Sequence, residues 1–142
     1  TKSKEAEARS LGADHFITLD DTEAMFNFAN YFDLIINTGS HPQDVSVFLN
    51  ILDAEGVFLQ IGGGQGTIAV DSFGLLFRGQ AIAGSLVGSP SQIKEMLALC
   101  AKHKIYPMTE LVPFAKVNEA IQGVLDNKPR YRYVLNIEDH YK

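Results

Sequence analysis

Short runs of contiguous apolar residues alternate along this chain with segments whose apolar residues recur every three or four positions. The runs that predict strands are residues 15–19, 32–37, 57–61 and 80–87. In the clearest of them, Leu34, Ile35 and Ile36 follow one another without an intervening polar residue. Contiguous apolar strands are typical of parallel sheets covered on both faces, so the pattern predicts a parallel sheet.

The segments between these runs predict helices over residues 4–11, 22–29, 42–52, 72–77 and 89–103. Asp21 or Thr22 can cap the second helix, and Pro42 suits the first turn of the third. Ser89 or Ser91 can cap the last helix, which is amphipathic. A repeated strand–helix–strand alternation of this kind predicts an α/β doubly wound sheet.

Beyond Pro107 the pattern changes. A short extended segment (110–112), a helix (114–127) and an alternating strand (131–137) follow one another there. No linker rich in proline, glycine or serine separates this part from the rest of the chain. The change of pattern therefore indicates that the residues beyond Pro107 have a different structural role, but it does not predict a flexible linker before them.

Composition narrows the possible functions. The 142 residues carry a net charge of −5 and only twelve scattered lysines and arginines, which argues against a nucleic-acid or anionic-membrane partner. Cys100 is the only cysteine, so an internal disulfide is excluded and a cytoplasmic location is predicted. One cysteine and four histidines are too few soft ligands for a zinc site. We therefore assign no catalytic or metal-binding residue, and we expect Cys100 to be a small core residue.

Glycines are concentrated in residues 62–66, directly after a predicted strand. A complete dinucleotide-binding unit opens with a strand and a G-x-G-x-x-G turn into a helix, and no such turn precedes the first helix here. The 62–66 segment is either a phosphate loop in its own right or a flexible turn after a strand. Its place after a late strand, with no helix at the required distance, favours the turn.

Six segments resemble the zinc-type alcohol dehydrogenases, in particular their cinnamyl alcohol dehydrogenase-like branch. They are TKSK (1–4), LGADHF (11–16), FDLIINT (32–38), IAGSLVGS (82–89), VNEA (117–120) and RYRYVL (130–135). The resemblance covers the whole chain and implies a C-terminal fragment. The implied fold is α/β, an incomplete Rossmann-type doubly wound parallel sheet whose first strands and glycine-rich loop are missing. Residues 1–105 would form part of the cofactor-binding domain, and residues 106–142 the C-terminal return of the catalytic domain.

The resemblance also implies which residues contact the nicotinamide dinucleotide. Thr1 and Lys4 match a polar cluster that faces the adenosine ribose, where an ammonium and a hydroxyl suit a 2′-phosphate. This match favours NADP and leaves NAD open. Without the resemblance, Lys4 would be interpreted as a solvated surface charge.

Other matched positions follow the strands of the sheet. Thr38 and Gly62 match residues that line the cofactor, where small side chains let the backbone approach the ligand. The segment containing Gly84, Ser85 and Val87 matches the strand whose backbone bonds the nicotinamide carboxamide. Arg132 matches an arginine that reaches the cofactor phosphates.

The function implied is that of an alcohol or aldehyde oxidoreductase, with zinc bound only in the intact parent protein. The isolated fragment is expected to be inactive, and homodimers are expected to form through the strand at 80–87. A standalone nucleotide-binding or oligomerisation module is the alternative. Because the first Rossmann strand lies beside the fourth, we also expect the strand at 32–37 to have an unpaired edge here.

Overall fold

The computed structural model describes residues 1–39, 44–63 and 67–138. The chain separates into two compact units, Thr1–Val87 and Gly88–Lys142. The first contains a three-stranded sheet and the second a two-stranded sheet, and all neighbouring strands are parallel. The predicted α/β parallel architecture is confirmed.

In the first unit, a 3-10 turn at Lys2–Lys4 precedes the regular elements. The helices are α1 (Glu5–Ser10), α2 (Thr22–Asn27), α3 (Val45–Ile51) and α4 (Ser72–Arg78), and the strands are β1 (Phe32–Asn37), β2 (Leu52–Gln60) and β3 (Ala81–Gly84). The strands lie in the order β1-β2-β3. Helix α2 begins as predicted, because the Asp21 carboxylate accepts a hydrogen bond from the Ala24 N–H at 3.0 Å.

The core of this unit lies on one face of the sheet. Ile35, Phe58 and Ile82 are partners across the three strands, and neighbouring partners point to the same face. Val45 and Leu49, one helical turn apart on α3, pack against this row. Phe58 has no exposed surface, which marks the centre of the core.

The opposite face is only partly covered. Leu34 and Ile36 point away from the core row and are 51% and 52% exposed. In the described part of the chain, β1 pairs with β2 on one side and with no strand on the other. The expected unpaired edge at 32–37 is therefore confirmed within the described part of the chain, whereas the expected cover on both faces is complete on one face and partial on the other.

The predicted strand at residues 15–19 is wrong, since this segment has no regular secondary structure. In the Rossmann order the third strand pairs only with the second. No strand of the described chain lies beside residues 15–19, so their backbone has no neighbouring strand with which to form hydrogen bonds. A cavity of about 730 Å³ lies here, lined by His15 and Ile17 on one side and by Phe32 and Ile35 on the other.

Two predicted boundaries move because of local backbone chemistry. Pro42, the expected start of the third helix, lies outside the described residues. Helix α3 begins at Val45, with the Asp44 carboxylate accepting the Ser46 N–H at 3.0 Å. Strand β2 begins at Leu52 instead of residue 57, and its register with β1 shifts across the predicted turn at 53–56, where Glu55 has a φ of 62°.

The predicted strand at 80–87 is shorter than expected. β3 ends at Gly84 because its only neighbour in the described sheet, β2, ends at Gln60. The last bond across this pair runs from the Ser85 N–H to the Gln60 carbonyl at 3.1 Å. Leu86 and Val87 lie beyond it and are each 88% exposed.

Side-chain hydrogen bonds from Gln80 and Arg78, which we call the Gln80 clamp, satisfy backbone carbonyls at the end of α3. The buried Gln80 amide donates to the carbonyls of Leu49, Leu52 and Asp53 at 3.1, 2.9 and 3.2 Å. The Arg78 guanidinium donates to the first two of these carbonyls at 3.2 and 2.7 Å. The last carbonyls of a helix lack intrahelical partners, so these side chains satisfy groups that burial would otherwise make costly.

The second unit contains α5 (Pro90–His103), β4 (Glu110–Pro113), a 3-10 turn (Phe114–Lys116), α6 (Val117–Leu125) and β5 (Tyr133–Asn136). The predicted Ser89 cap of α5 is confirmed as a capping box with Gln92. Cys100 is only partly buried, so it is not the core residue we expected.

Gly123 of α6 lies against the Tyr133 ring. A β-carbon at this position would lie 2.9 Å from Cε2 of that ring. No helix in the described residues is long and apolar enough to cross a membrane.

Candidate functional site

The three strands of the first unit end in register. Asn37, Gln60 and Gly84 are direct partners across the sheet and are the last residues of β1, β2 and β3. The residues that follow each strand therefore emerge side by side. We call residues 37–39, 60–62 and 84–85 the carboxyl edge. In open α/β sheets, ligands bind at this edge.

Four of the residues predicted to bind the cofactor lie on the carboxyl edge, namely Thr38, Gly62, Gly84 and Ser85. Thr38, Gly84 and Ser85 are exposed, whereas Gly62 is partly buried. The N–H groups of Ile61 and Gly62 both donate to the Asn37 carbonyl at 2.9 Å, which ties the turn after β2 to β1.

Gly62 permits an unusually close approach of two turns. A β-carbon at this position would lie 2.6 Å from the Gly39 carbonyl carbon and 2.7 Å from that of Thr38, and closer still to the Gly39 oxygen. Among the described residues, a β-carbon at Gly63 would meet no atom within 4 Å. The close contact between the two turns therefore explains why a glycine is needed at position 62. Residues 64–66 of the glycine-rich segment lie outside the described residues.

Two neutral amides join the strand ends. The Asn37 amide nitrogen donates to the Gln60 side-chain oxygen at 2.9 Å. The Asn37 side-chain oxygen accepts the Gly39 N–H at 3.0 Å, and the Gln60 amide nitrogen donates to the Gly62 carbonyl at 2.7 Å. We did not predict these residues from the sequence. The available signal was a polar amide directly after each of the apolar runs 34–36 and 57–59.

The remaining predicted residues lie outside the carboxyl edge. Thr1 and Lys4 share the first 3-10 turn, where the Lys4 N–H donates to the Thr1 carbonyl at 3.0 Å, and both are exposed. Val87 follows β3 in an exposed segment. Arg132 belongs to the second unit, where its carbonyl accepts the Glu110 N–H at 3.0 Å.

The carboxyl edge carries no acidic, basic, histidine or cysteine side chain. It offers backbone N–H and C=O groups, the hydroxyls of Thr38 and Ser85, and the amides of Asn37 and Gln60. Such groups can orient a ligand through hydrogen bonds, but none of them is an ionisable acid or base near neutral pH. This arrangement suits binding and positioning.

The carboxyl groups with shifted pKa values lie in caps and turns. A hydrogen bond from the Ser46 hydroxyl, followed by one from its N–H, lowers the pKa of Asp44 at the start of α3. The Thr18 side chain lowers the pKa of Asp20 by hydrogen bonding. At the end of α6, the Gln122 amide and then Lys128 lower the pKa of Asp126. In each case hydrogen bonds favour the charged form of an exposed group.

Residues 1–39, 44–63 and 67–138 contain no group of three or more His, Cys, Asp or Glu side chains placed to hold a metal ion. A zinc site requires three or four such ligands. The described side chains therefore do not fit a zinc ion.

The parallel sheet and its carboxyl edge define a Rossmann-type α/β protein, and comparison with known proteins identifies the family. The family model described as "Zinc-binding dehydrogenase" matches residues 1–102. The chain belongs to this family, which confirms the resemblance to zinc-type alcohol dehydrogenases.

Individual relatives agree. A probable formaldehyde dehydrogenase of Bacillus subtilis is 35% identical over 95% of this chain and 39% of its own length. An NADP-dependent alcohol dehydrogenase C of Mycobacterium bovis is 35% identical over 89% of this chain and 37% of its own. Cinnamyl alcohol dehydrogenase 2 of Rauvolfia serpentina is 35% identical over 100% and 40%. The chain thus spans about two fifths of the length of these curated relatives.

Solved structures show the same relationship. A cinnamyl alcohol dehydrogenase from Sorghum bicolor superimposes with a TM-score of 0.84 at 30% identity, covering 96% of this chain and 38% of that one. The cinnamyl alcohol dehydrogenase of Helicobacter pylori, solved as a complex with NADP(H), gives 0.78 at 26% identity over 97% and 39%. The fold of this chain is therefore that of part of an alcohol dehydrogenase.

Proposed function

We propose that this chain is the cofactor-binding portion of a longer, zinc-dependent alcohol or aldehyde oxidoreductase that uses NADP(H). The observation that carries the proposal is the alignment of Thr38, Gly62, Gly84 and Ser85 along one uncharged sheet edge. Family membership supports the reaction class. The NADP dependence stated for one relative and the NADP(H) complex of another support the cofactor.

In this proposal, residues 1–105 are part of the cofactor-binding domain and residues 106–142 belong to the catalytic domain. The backbone at Thr38 and Gly62 approaches the cofactor closely, because the side chains at these two positions are small. The segment with Gly84, Ser85 and Val87 bonds the nicotinamide carboxamide, and Arg132 contacts the phosphates. Fixing the carboxamide sets which face of the nicotinamide ring meets the substrate, so these contacts bear on hydride transfer.

The zinc ligands would come from parts of the parent protein outside this sequence, since the described side chains do not fit the ion. The unpaired edge of β1 supports a longer parent, because no strand of the described residues lies beside it. Additional strands of a Rossmann sheet would occupy this position. The substrate, a small alcohol or aldehyde, would bind mainly to the same missing parts.

The polypeptide of 142 residues is expected to show no alcohol or aldehyde turnover with NADP(H) or NAD(H), whether or not zinc is added. The reason is that its described residues provide neither a metal site nor an ionisable side chain at the carboxyl edge. Absorbance at 340 nm measures the reaction. Zinc-dependent turnover that copurifies with the polypeptide would contradict the proposal that other parts of the parent enzyme hold the zinc.

Cofactor preference depends in this proposal on the first turn. Thr1 and Lys4 are joined by the 3.0 Å bond of the 3-10 turn, so a hydroxyl and an ammonium are held three residues apart on one short element. Both groups can donate to a phosphate dianion. Their exposure leaves them accessible to a ligand. NAD lacks the 2′-phosphate and would gain little from these groups.

Replacing Lys4 by alanine in the parent enzyme should weaken NADP binding by about 1.5–3 kcal/mol and leave NAD binding nearly unchanged. Dissociation constants for both cofactors measure the difference. Lys2→Ala is the matched control, since Lys2 is exposed in the same turn and carries the same charge. Equal effects of the two substitutions on NADP would show that Lys4 is an ordinary surface charge.

A second candidate function is that of a standalone nucleotide-binding or oligomerisation module. The unpaired edge of β1 and its half-exposed Leu34 and Ile36 favour association. In the parent enzyme we propose a cytoplasmic homodimer that forms through β3, which pairs only with β2 in the described chain. The mass in solution, compared with 15.6 kDa for one chain, shows whether this chain associates by itself.

A further inference from the structure

Two amide side chains, Asn37 and Gln60, lie where the core ends at the carboxyl edge. On the face that carries Ile35, Phe58 and Ile82, the next row towards the strand ends is Asn37, Gln60 and Gly84. Packing therefore changes within one step along each strand from apolar side chains to neutral amides. The third position of the row has no side chain, so only Asn37 and Gln60 can interact.

The backbone fixes the orientation of both amides. The Gly39 N–H can only donate, so the Asn37 atom beside it must be the oxygen. The Gly62 carbonyl can only accept, so the Gln60 atom beside it must be the nitrogen. The two atoms that remain are the Asn37 nitrogen and the Gln60 oxygen, which form a donor–acceptor pair at 2.9 Å.

The result is a continuous series of hydrogen bonds in which every donor points the same way. It runs from the Gly39 N–H through Asn37 and Gln60 to the Gly62 carbonyl. Hydrogen bonds arranged in this way polarise one another and act as a unit. The series joins the same two turns that approach each other at the Gly62 backbone.

We propose that Asn37 and Gln60 are positioning residues, whose paired amides hold the turns of Thr38–Gly39 and Gly62 at the spacing that the dinucleotide requires. This inference rests on the proposed function for its ligand, whereas the series of hydrogen bonds stands independently. Neither side chain needs to touch the cofactor. Loss of the pair keeps the backbone bonds from Ile61 and Gly62 to the Asn37 carbonyl but releases the Gly39 N–H and the Gly62 carbonyl, so the spacing of the turns is less tightly held.

The test uses the longest natural polypeptide that contains this sequence and compares Gln60→Met, Asn37→Leu and the double variant. Each substitution keeps the approximate volume and removes the amide. The control is Gln122→Met, the same chemical change at an exposed glutamine that donates to Asp126 at 2.9 Å. Dissociation constants for NADP(H) and hydrogen exchange of the Gly39 N–H without cofactor are measured. Thermal unfolding shows whether each variant is folded.

Each single substitution should raise the NADP(H) dissociation constant about three- to tenfold. The double variant should bind about as weakly as either single variant, because the amides act as a unit. Exchange of the Gly39 N–H should accelerate by roughly the same factor, whereas Gln122→Met should change neither quantity. If Asn37→Leu does not fold, Gln60→Met alone still decides the outcome.

Unchanged exchange at Gly39 in Gln60→Met would show that the series of hydrogen bonds does not hold the turn. Faster exchange with unchanged NADP(H) affinity would show that it holds the turn without positioning the cofactor. Either result would overturn the positioning role and leave the proposed function intact. Failure of the wild-type polypeptide to bind NADP(H) would overturn both.

Discussion

Replacing Phe58 by alanine is expected to lower the free energy of unfolding by about 3–5 kcal/mol. Phe58 is fully buried at the centre of the row that joins all three strands, and its ring lies 5.7 Å from that of Phe48 on α3. Removing the ring takes away apolar contacts and leaves a cavity between the sheet and the helix. The free energy of unfolding of typical domains is only about 5–15 kcal/mol, so this loss would remove a large part of the chain's stability.

Denaturant unfolding measures this effect, and Phe26→Ala is the matched control. Phe26 lies on α2 and is 79% exposed, so the same truncation should cost well under 1 kcal/mol there. Similar losses for Phe58 and Phe26 would mean that the core does not lie between α3 and the sheet.

Gly62→Ala is expected to destabilise the carboxyl edge by about 3 kcal/mol, at the upper end of the cost of overpacking. The new β-carbon would meet the backbone of Thr38 and Gly39, which cannot rotate away as a flexible side chain would. One of the two turns must therefore move. We expect dinucleotide binding to weaken together with stability, because both turns belong to the proposed site.

Gly63→Ala provides a control at the adjacent position, where a β-carbon meets no atom of residues 1–39, 44–63 and 67–138 within 4 Å. Unfolding and dinucleotide titration of the two variants separate a general effect of glycine replacement from the close approach at Gly62. Equal tolerance of the two substitutions would refute the close contact between the turns.

Sequence patterns predicted the elements whose determinants are local. The bounds of β1 were correct because an uninterrupted apolar run is bounded by polar residues, and the Ser89 cap was correct because its partner Gln92 is three residues away. Residues 15–19 have an equally apolar sequence but form no strand. A strand depends on a neighbour, and this segment has none in the described chain.

Predictions of the site divide in the same way. Thr38, Gly62, Gly84 and Ser85 could be placed on one edge because parallel strands end together. The amide pair of Asn37 and Gln60 and the Gln80 clamp depend on register between segments more than twenty residues apart. A single sequence does not specify that register, so these contacts emerged only from the structure.

The most direct test of the central claim is hydrogen–deuterium exchange of the longest natural polypeptide that contains this sequence, with and without NADP(H). We expect added protection in peptides that cover residues 37–39, 60–62 and 84–87, where the strand ends would contact the cofactor. Peptides that cover the core of β2 around Phe58 should already be protected and should not change. Saturating NADP(H) that leaves the carboxyl edge unchanged would contradict the assignment of this edge as the cofactor site.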